Sequence, residues 1–190
     1  AIPVIEQDVQ QDTQEPAFPE PVKVVTLPEH LIENTENGPL PKISRDGVAP
    51  RDFYAQNISA GSASHKIALI VTDIGLSEGA TQSALENLPQ SITMAFNPYG
   101  KNLISHSSMA QKKGYETLMM LPMEPYNFPV NDPGPRALLT SISKTQNTER
   151  LHWVMSRVTG YTGMISHMGN AFFNDPTALE YTFKDLAKRG

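Results

Sequence analysis

Leu118 to Pro135, LMMLPMEPYNFPVNDPGP, changes character in its middle. Its first four residues are apolar, a run of the length expected of a buried strand. Pro125, Pro129, Pro133 and Pro135 then come in quick succession among acidic and aromatic side chains, and the strand gives way to a loop. Proline fixes its own φ and pushes the preceding residue towards extended backbone, so this loop is long yet stiff. A stiff loop at the end of a buried strand is good ground for a site. Glu124 stands just past that strand end, between Met123 and Pro125, where a carboxylate has to meet a cation, a donor or water. It either caps a neighbouring backbone N–H or contributes to a site.

Upstream, the same strand-to-loop pattern recurs. IALIV (Ile67 to Val71) is an unbroken apolar run closed by Thr72, Asp73, Ile74 and Gly75, the pattern of a parallel strand covered on both faces. Ser77 offers an N-cap for a helix with Ala80, Ala84, Leu85 and Leu88 on one side, and Pro89 stops it. ITMAF (Ile92 to Phe96) is the second strand; Asn97 to Gly100 turn the chain into a helix that Gly114 ends. Thr117 to Leu121 is the third.

Downstream of the loop, Ser143 caps a helix carrying Leu151, Val154, Met155 and Val158, ended by Gly160. Gly163 to Ser166 is a fourth strand closed by His167, Met168 and Gly169. Asp175 and Pro176 start a last helix with Leu179, Phe183, Leu186 and Ala187 inward. Four strand–helix alternations predict an α/β fold with a mostly parallel sheet. Four such units neither close a barrel nor complete most doubly wound sheets, so the expectation is a domain incomplete at its C-terminal side.

Residues 1–64 read differently from residues 65–190. Eight prolines fall there (Pro3, Pro16, Pro19, Pro21, Pro28, Pro39, Pro41 and Pro50), and no strand or helix period is sustained, which predicts a largely disordered acidic linker. Within it PRDFYAQN (Pro50 to Asn57) is either an arm packed on the domain or a sticky patch. The four Lys or Arg and ten Asp or Glu of the linker give it a net charge of −6, leaving +1 for the rest of a chain at −5. A nearly neutral domain without a basic stripe argues against a nucleic-acid partner.

The absence of cysteine excludes a disulfide scaffold, a thiolate metal site and a Cys nucleophile. No apolar run approaches the roughly 20 residues that cross a bilayer. A chain starting at Ala1 and opening into a Pro-rich spacer suggests that a signal peptide or membrane anchor has been removed. No G-x-S-x-G elbow or glycine-rich phosphate loop occurs.

Loops that follow parallel strands open on one face, where ligands bind. The strand ends present Asp73, then Asn97 and Tyr99, then Glu124 with Tyr126 and Asp132, then His167. Asp73, Glu124 and His167 are together the ligand types of an open divalent-metal site. His106 and His152 fall on helices, where surface or partly packed positions are expected, and the eight methionines, Met119, Met120 and Met123 among them, read as core filling.

IALIVTDIGLS (Ile67 to Ser77), LPMEPYNFPVNDPGPRALLTSIS (Leu121 to Ser143) and TGYTGMISHMG (Thr159 to Gly169), in this order and spacing, resemble the divergent polysaccharide deacetylase family. The resemblance runs from about Pro50 to the last residue. It implies an irregular (β/α) barrel, a periplasmic or extracytoplasmic place behind an N-terminal signal or anchor, and metal-dependent N- or O-deacetylation of an envelope glycan. Zinc is the first metal expected, with Asp73 or Asp132 as base and Tyr99, Glu124, Tyr126 and Asn131 on the substrate. Two departures stand out. Active deacetylases of the superfamily place two aspartates side by side, whereas Thr72 holds the first of those places and cannot act as a base near neutral pH. Histidines expected near Tyr115 or Met120 are missing, and methionine is a poor ligand for a borderline or hard cation. The expectation therefore divides between a metal hydrolase and a non-catalytic relative that binds a glycan or an envelope protein, with Tyr99, Tyr126 and Phe128 as stacking surfaces.

Overall fold

The structure, a computed structural model, describes residues 28–56, 62 and 65–190. The expected linker lies outside the described residues over 1–27, 57–61 and 63–64. Its remaining part is not structureless, which corrects the reading from proline content. Ile32–Thr35 (β1) and Gly38–Pro41 (β2) form an antiparallel hairpin, with Thr35 opposite Gly38 at the turn. Leu31 and Leu40, 1% and 0% exposed, bury against the domain core. One leucine beside and one within four-residue strands make no readable period, and the burial that orders them comes from residues far along the chain. Pro50–Tyr54 (α1) follows, with the Phe53 ring edge-on to His30 and Tyr54 and the Arg51 N–H donating to the Gly190 carbonyl. The aromatic segment is thus a packed arm.

Four parallel strands form the domain's sheet in the order Ile70–Ile74 (β3), Thr93–Phe96 (β4), Thr117–Met123 (β5) and Gly163–Met168 (β6). Helices Glu78–Asn87 (α2), Leu103–Lys112 (α3) and Lys144–Met155 (α4) connect them, and Pro176–Arg189 (α5) follows β6. The sheet is open, with β3 and β6 at its edges, and the described residues form no closed barrel. Met94, Phe96 and Met119 are fully buried, with Met120, Met123 and Met155 nearly so, as expected of core filling, whereas Met109 and Met168 are 37% and 44% exposed.

Local signals place the helix ends well. Ser77 accepts from the Ala80 N–H, Ser143 and Gln146 form a reciprocal capping box, and Asp175 accepts from the Ala178 N–H ahead of Pro176. Three expectations fail. Helix α4 ends at Met155 with Ser156 as its C-cap, short of Val158 and Gly160. The first strand lies three residues later than its apolar run, Ile67 precedes it and is 87% exposed, and β3 itself is mostly exposed rather than covered on both faces. Phe183 is 49% exposed and Ala187 is exposed too; the inward face of α5 is Ala178 and Thr182 with Leu179 and Leu186 beside them, a stripe rotated from the expected one.

Candidate functional site at the strand ends

The end of β3 is irregular. Val71 pairs with Met94 and Ile74 with Phe96, so β3 spends one residue more than β4 over the same distance. The extra residue bulges, and Asp73 takes a left-handed φ of 61°. Bulges re-aim side chains, and a left-handed non-glycine residue is held there only by its surroundings. Here the holders are specific. Asn97, buried at the end of β4, donates from Nδ2 to Asp73 Oδ1 at 2.9 Å, and its Oδ1 accepts the Tyr99 N–H at 3.1 Å. The Asp73 N–H points at Met120 Sδ, 3.2 Å away, and Thr72 Oγ1 lies 3.5 Å from Asp73 Oδ2. Asp73 is thereby an exposed carboxylate with a fixed orientation and neutral partners.

Glu124 is committed elsewhere. Its Oε2 accepts from both the Thr140 N–H and Thr140 Oγ1, the latter at 2.7 Å. Its own N–H donates to the Leu138 carbonyl, and its carbonyl accepts from Ala171 and Phe172. Of the two roles open to Glu124, capping is the one the structure gives it: it knots the proline-rich loop to the start of the chain after β6. That loop is fastened again at Tyr126, whose N–H donates to Asn170 Oδ1 at 3.0 Å and whose hydroxyl meets the Asn174 amide. Tyr126 remains 67% exposed. Asn131 and Asp132 are exposed, and Asp132 Oδ1 accepts the Gly134 N–H at 2.8 Å in a local turn. The Tyr99 ring leans on Trp153 at 5.8 Å, its hydroxyl accepts the Arg136 N–H at 3.0 Å, and burial chiefly raises its pKa.

His167 sits near the end of β6, paired in register with Pro122. Between it and Asp73 lie β4 and β5, and three spacings of about 4.8 Å separate the two edge strands by about 14 Å. Asp73 and His167 thus stand on opposite edge strands, with Glu124 just past the end of β5 between them. Among the described residues no three His, Asp or Glu side chains converge in a way that could hold a metal ion. The expected ligand set of Asp73, Glu124 and His167 does not fit zinc here: one carboxylate faces asparagine, one is capped by threonine, and the imidazole is at the opposite edge.

A further cluster at this face gave no signal in the sequence. Glu78, in the first turn of α2, accepts from Asn102 Nδ2 at 3.0 Å and meets His106 Nε2 at 3.2 Å. The Asn102 hydrogen bond, with His106 behind it, holds the Glu78 carboxyl below the usual carboxylate value. His106 is buried, beyond the partly packed position expected of it, and its Nδ1 has no partner among the described residues; His152 is partly packed as expected, 2.6 Å from Asp185. Thr140, Asn170 and Asn174 were also missed. Ordinary polar loop residues acquire roles only when two loops meet.

Among the described residues no helix is long and apolar enough to cross a membrane. The chain is 28% identical over 130 residues to an uncharacterized protein of Haemophilus influenzae, an alignment covering 67% of this chain and 44% of that one. It superposes with a TM-score of 0.77 on the crystal structure of an uncharacterized protein from Agrobacterium tumefaciens C58, at 35% identity, covering 80% of this chain and 62% of the other. It thus spans less than two thirds of either relative's length. The sequence pattern of the divergent polysaccharide deacetylases matches residues 69–190, from the exposed edge strand through the knotted loop to the last helix. With that match over more than half its length, the chain belongs to the divergent polysaccharide deacetylase family.

Proposed function

We propose that this chain recognises a glycan across the loops that follow β3 to β6, as a saccharide-binding member of its family. The observation that carries the reading is the commitment of its carboxylates: Asp73 to Asn97, Glu124 to Thr140. Oriented acceptors with exposed aromatic surface suit sugar hydroxyls and pyranose faces. Asp73, Tyr99, Tyr126 and Asn131 are the contacts in this reading. An envelope glycan outside the cytoplasm is the matching class of partner, and a barrel completed beyond β3 and β6 belongs to the same proposal, since the relatives are longer.

Deacetylation of that glycan is the second reading, favoured by the family and by the strained Asp73. Calorimetric titration with N-acetylglucosamine oligomers, with acetate release followed in parallel, separates the two. Saturable binding weakened by Tyr99→Ala without acetate supports the first. Acetate release lost in Asp73→Asn, or zinc uptake lost in His167→Ala, would replace it with the second.

A further inference from the structure

Trp153 is the only tryptophan in the chain, and two guanidinium groups lie over its indole. Arg136 Cζ is 5.5 Å and Arg157 Cζ 5.1 Å from the ring centroid, and the Tyr99 ring packs beside them at 5.8 Å. Both arginines are tied to the loop after β4. The Arg136 main-chain N–H donates to the Tyr99 hydroxyl, and Arg157 Nε donates to the Pro98 carbonyl at 2.9 Å. Arg150, which donates to the Ala137 carbonyl at 2.6 Å, adds a third positive charge felt at Tyr99.

Among the described residues neither Arg136 nor Arg157 has a carboxylate within ion-pair distance, in a chain whose net charge is −5. Asp132, the acid near Tyr99, has its Oδ1 on the Gly134 N–H. On the Arg157 side, two adjoining cavities of about 280 and 580 Å³ share Ile104, Ser108 and Arg157; neither is lined by Arg136 or Trp153, nor by an Asp or Glu. One cation satisfies the face of an indole; a second beside it adds repulsion that an anion would relieve.

The geometry points to an anion-accepting subsite at Arg136, Arg157 and Trp153 for a carboxylate-bearing sugar, a uronate residue of the bound glycan. The free Nη edge of a guanidinium matches a carboxylate in a bidentate pair, and the flanking rings offer a face to the pyranose. This inference rests on the glycan-binding reading and names the class of glycan.

Trp153 supplies its own reporter. The whole chain is titrated with oligogalacturonate and, separately, with N-acetylglucosamine oligomers of equal length, while tryptophan fluorescence and calorimetry are followed at low and high salt. The expected result is oligogalacturonate binding about tenfold tighter at low salt, a preference that high salt and Arg136→Gln each remove. Arg136→Gln deletes no side-chain hydrogen bond to the fold, and Arg157→Lys, which keeps the charge, retains part of the preference. Equal affinity for both oligomers overturns the inference and leaves glycan binding standing. A preference unchanged in Arg136→Gln and Arg157→Gln also overturns it. Binding of neither oligomer defeats both readings.

Discussion

Asn97 Nδ2 stands 2.9 Å from Asp73 Oδ1, joining the buried end of one strand to the bulged end of its neighbour. The same asparagine also accepts the Tyr99 N–H, so one amide fixes the carboxylate and the turn that carries the aromatic. Replacing it with alanine leaves the half-buried Tyr99 N–H unpaired and Asp73 without its guide. Asn97→Ala is expected to cost about 1–3 kcal/mol in urea denaturation. An unchanged midpoint would show that Asn97 does not organise this face.

Gly100 passes the backbone of the preceding strand's loop at close range. A Cβ built there would lie 2.8 Å from the Gly75 carbonyl oxygen and 2.7 Å from Leu103 Cδ2. Gly100→Ala should destabilise by about 1–3 kcal/mol through overpacking. Gly79, in α2, has nothing within 4 Å of such a Cβ, and Gly79→Ala should instead stabilise by about 0.5–1 kcal/mol. Thermal melts of the pair test the contrast, and equal shifts would contradict it.

Glu124 holds the far end of the proline-rich loop through Thr140. In Glu124→Ala that tether is lost while the prolines remain. Limited trypsinolysis should then cut after the exposed Arg136 several-fold faster than in the parent protein, as read by mass spectrometry. An identical cleavage rate would mean that the prolines alone keep the loop closed.

Glu78 is the group whose titration carries a sign. Its folded pKa is depressed below 4.5, chiefly by the Asn102 hydrogen bond, so its contribution is present above that value and fades as pH falls through the folded pKa. Glu78→Gln should therefore lower stability at pH near neutrality and approach the parent protein in acid. A stability gap that stays constant with pH would refute the assignment.

Leu40 measures how far the N-terminal hairpin belongs to the folded unit. It is fully buried within the main core cluster, and Leu40→Ala should cost about 2–5 kcal/mol. A loss below about 0.5 kcal/mol, the range of ordinary surface substitutions, would return the hairpin to the linker.

Much of the architecture was legible because it is written locally. Ser77, Ser143 and Asp175 cap helices through partners three residues away, and Gly114 follows the C-cap of α3 with a left-handed φ of 80°. Apolar runs gave the strands, although β3 lies three residues later than its run and is mostly exposed, because what covers a strand is not a local property. The hairpin at residues 32–41 escaped notice for the same reason: its leucines become informative only against a core built elsewhere.

The candidate site divides along that line too. The sequence by itself determined the order of the strand–helix units, their caps, the stiff loop after Met123 and the presence of Asp73, Glu124, Tyr99 and His167 at strand ends. Only the tertiary structure decided that Asp73 meets Asn97, that Glu124 meets Thr140, that His167 lies on the opposite edge, and that two arginines share Trp153. Caps and periods are set by groups within about four residues, whereas strand order and the bulge of β3 are settled by packing between segments tens of residues apart.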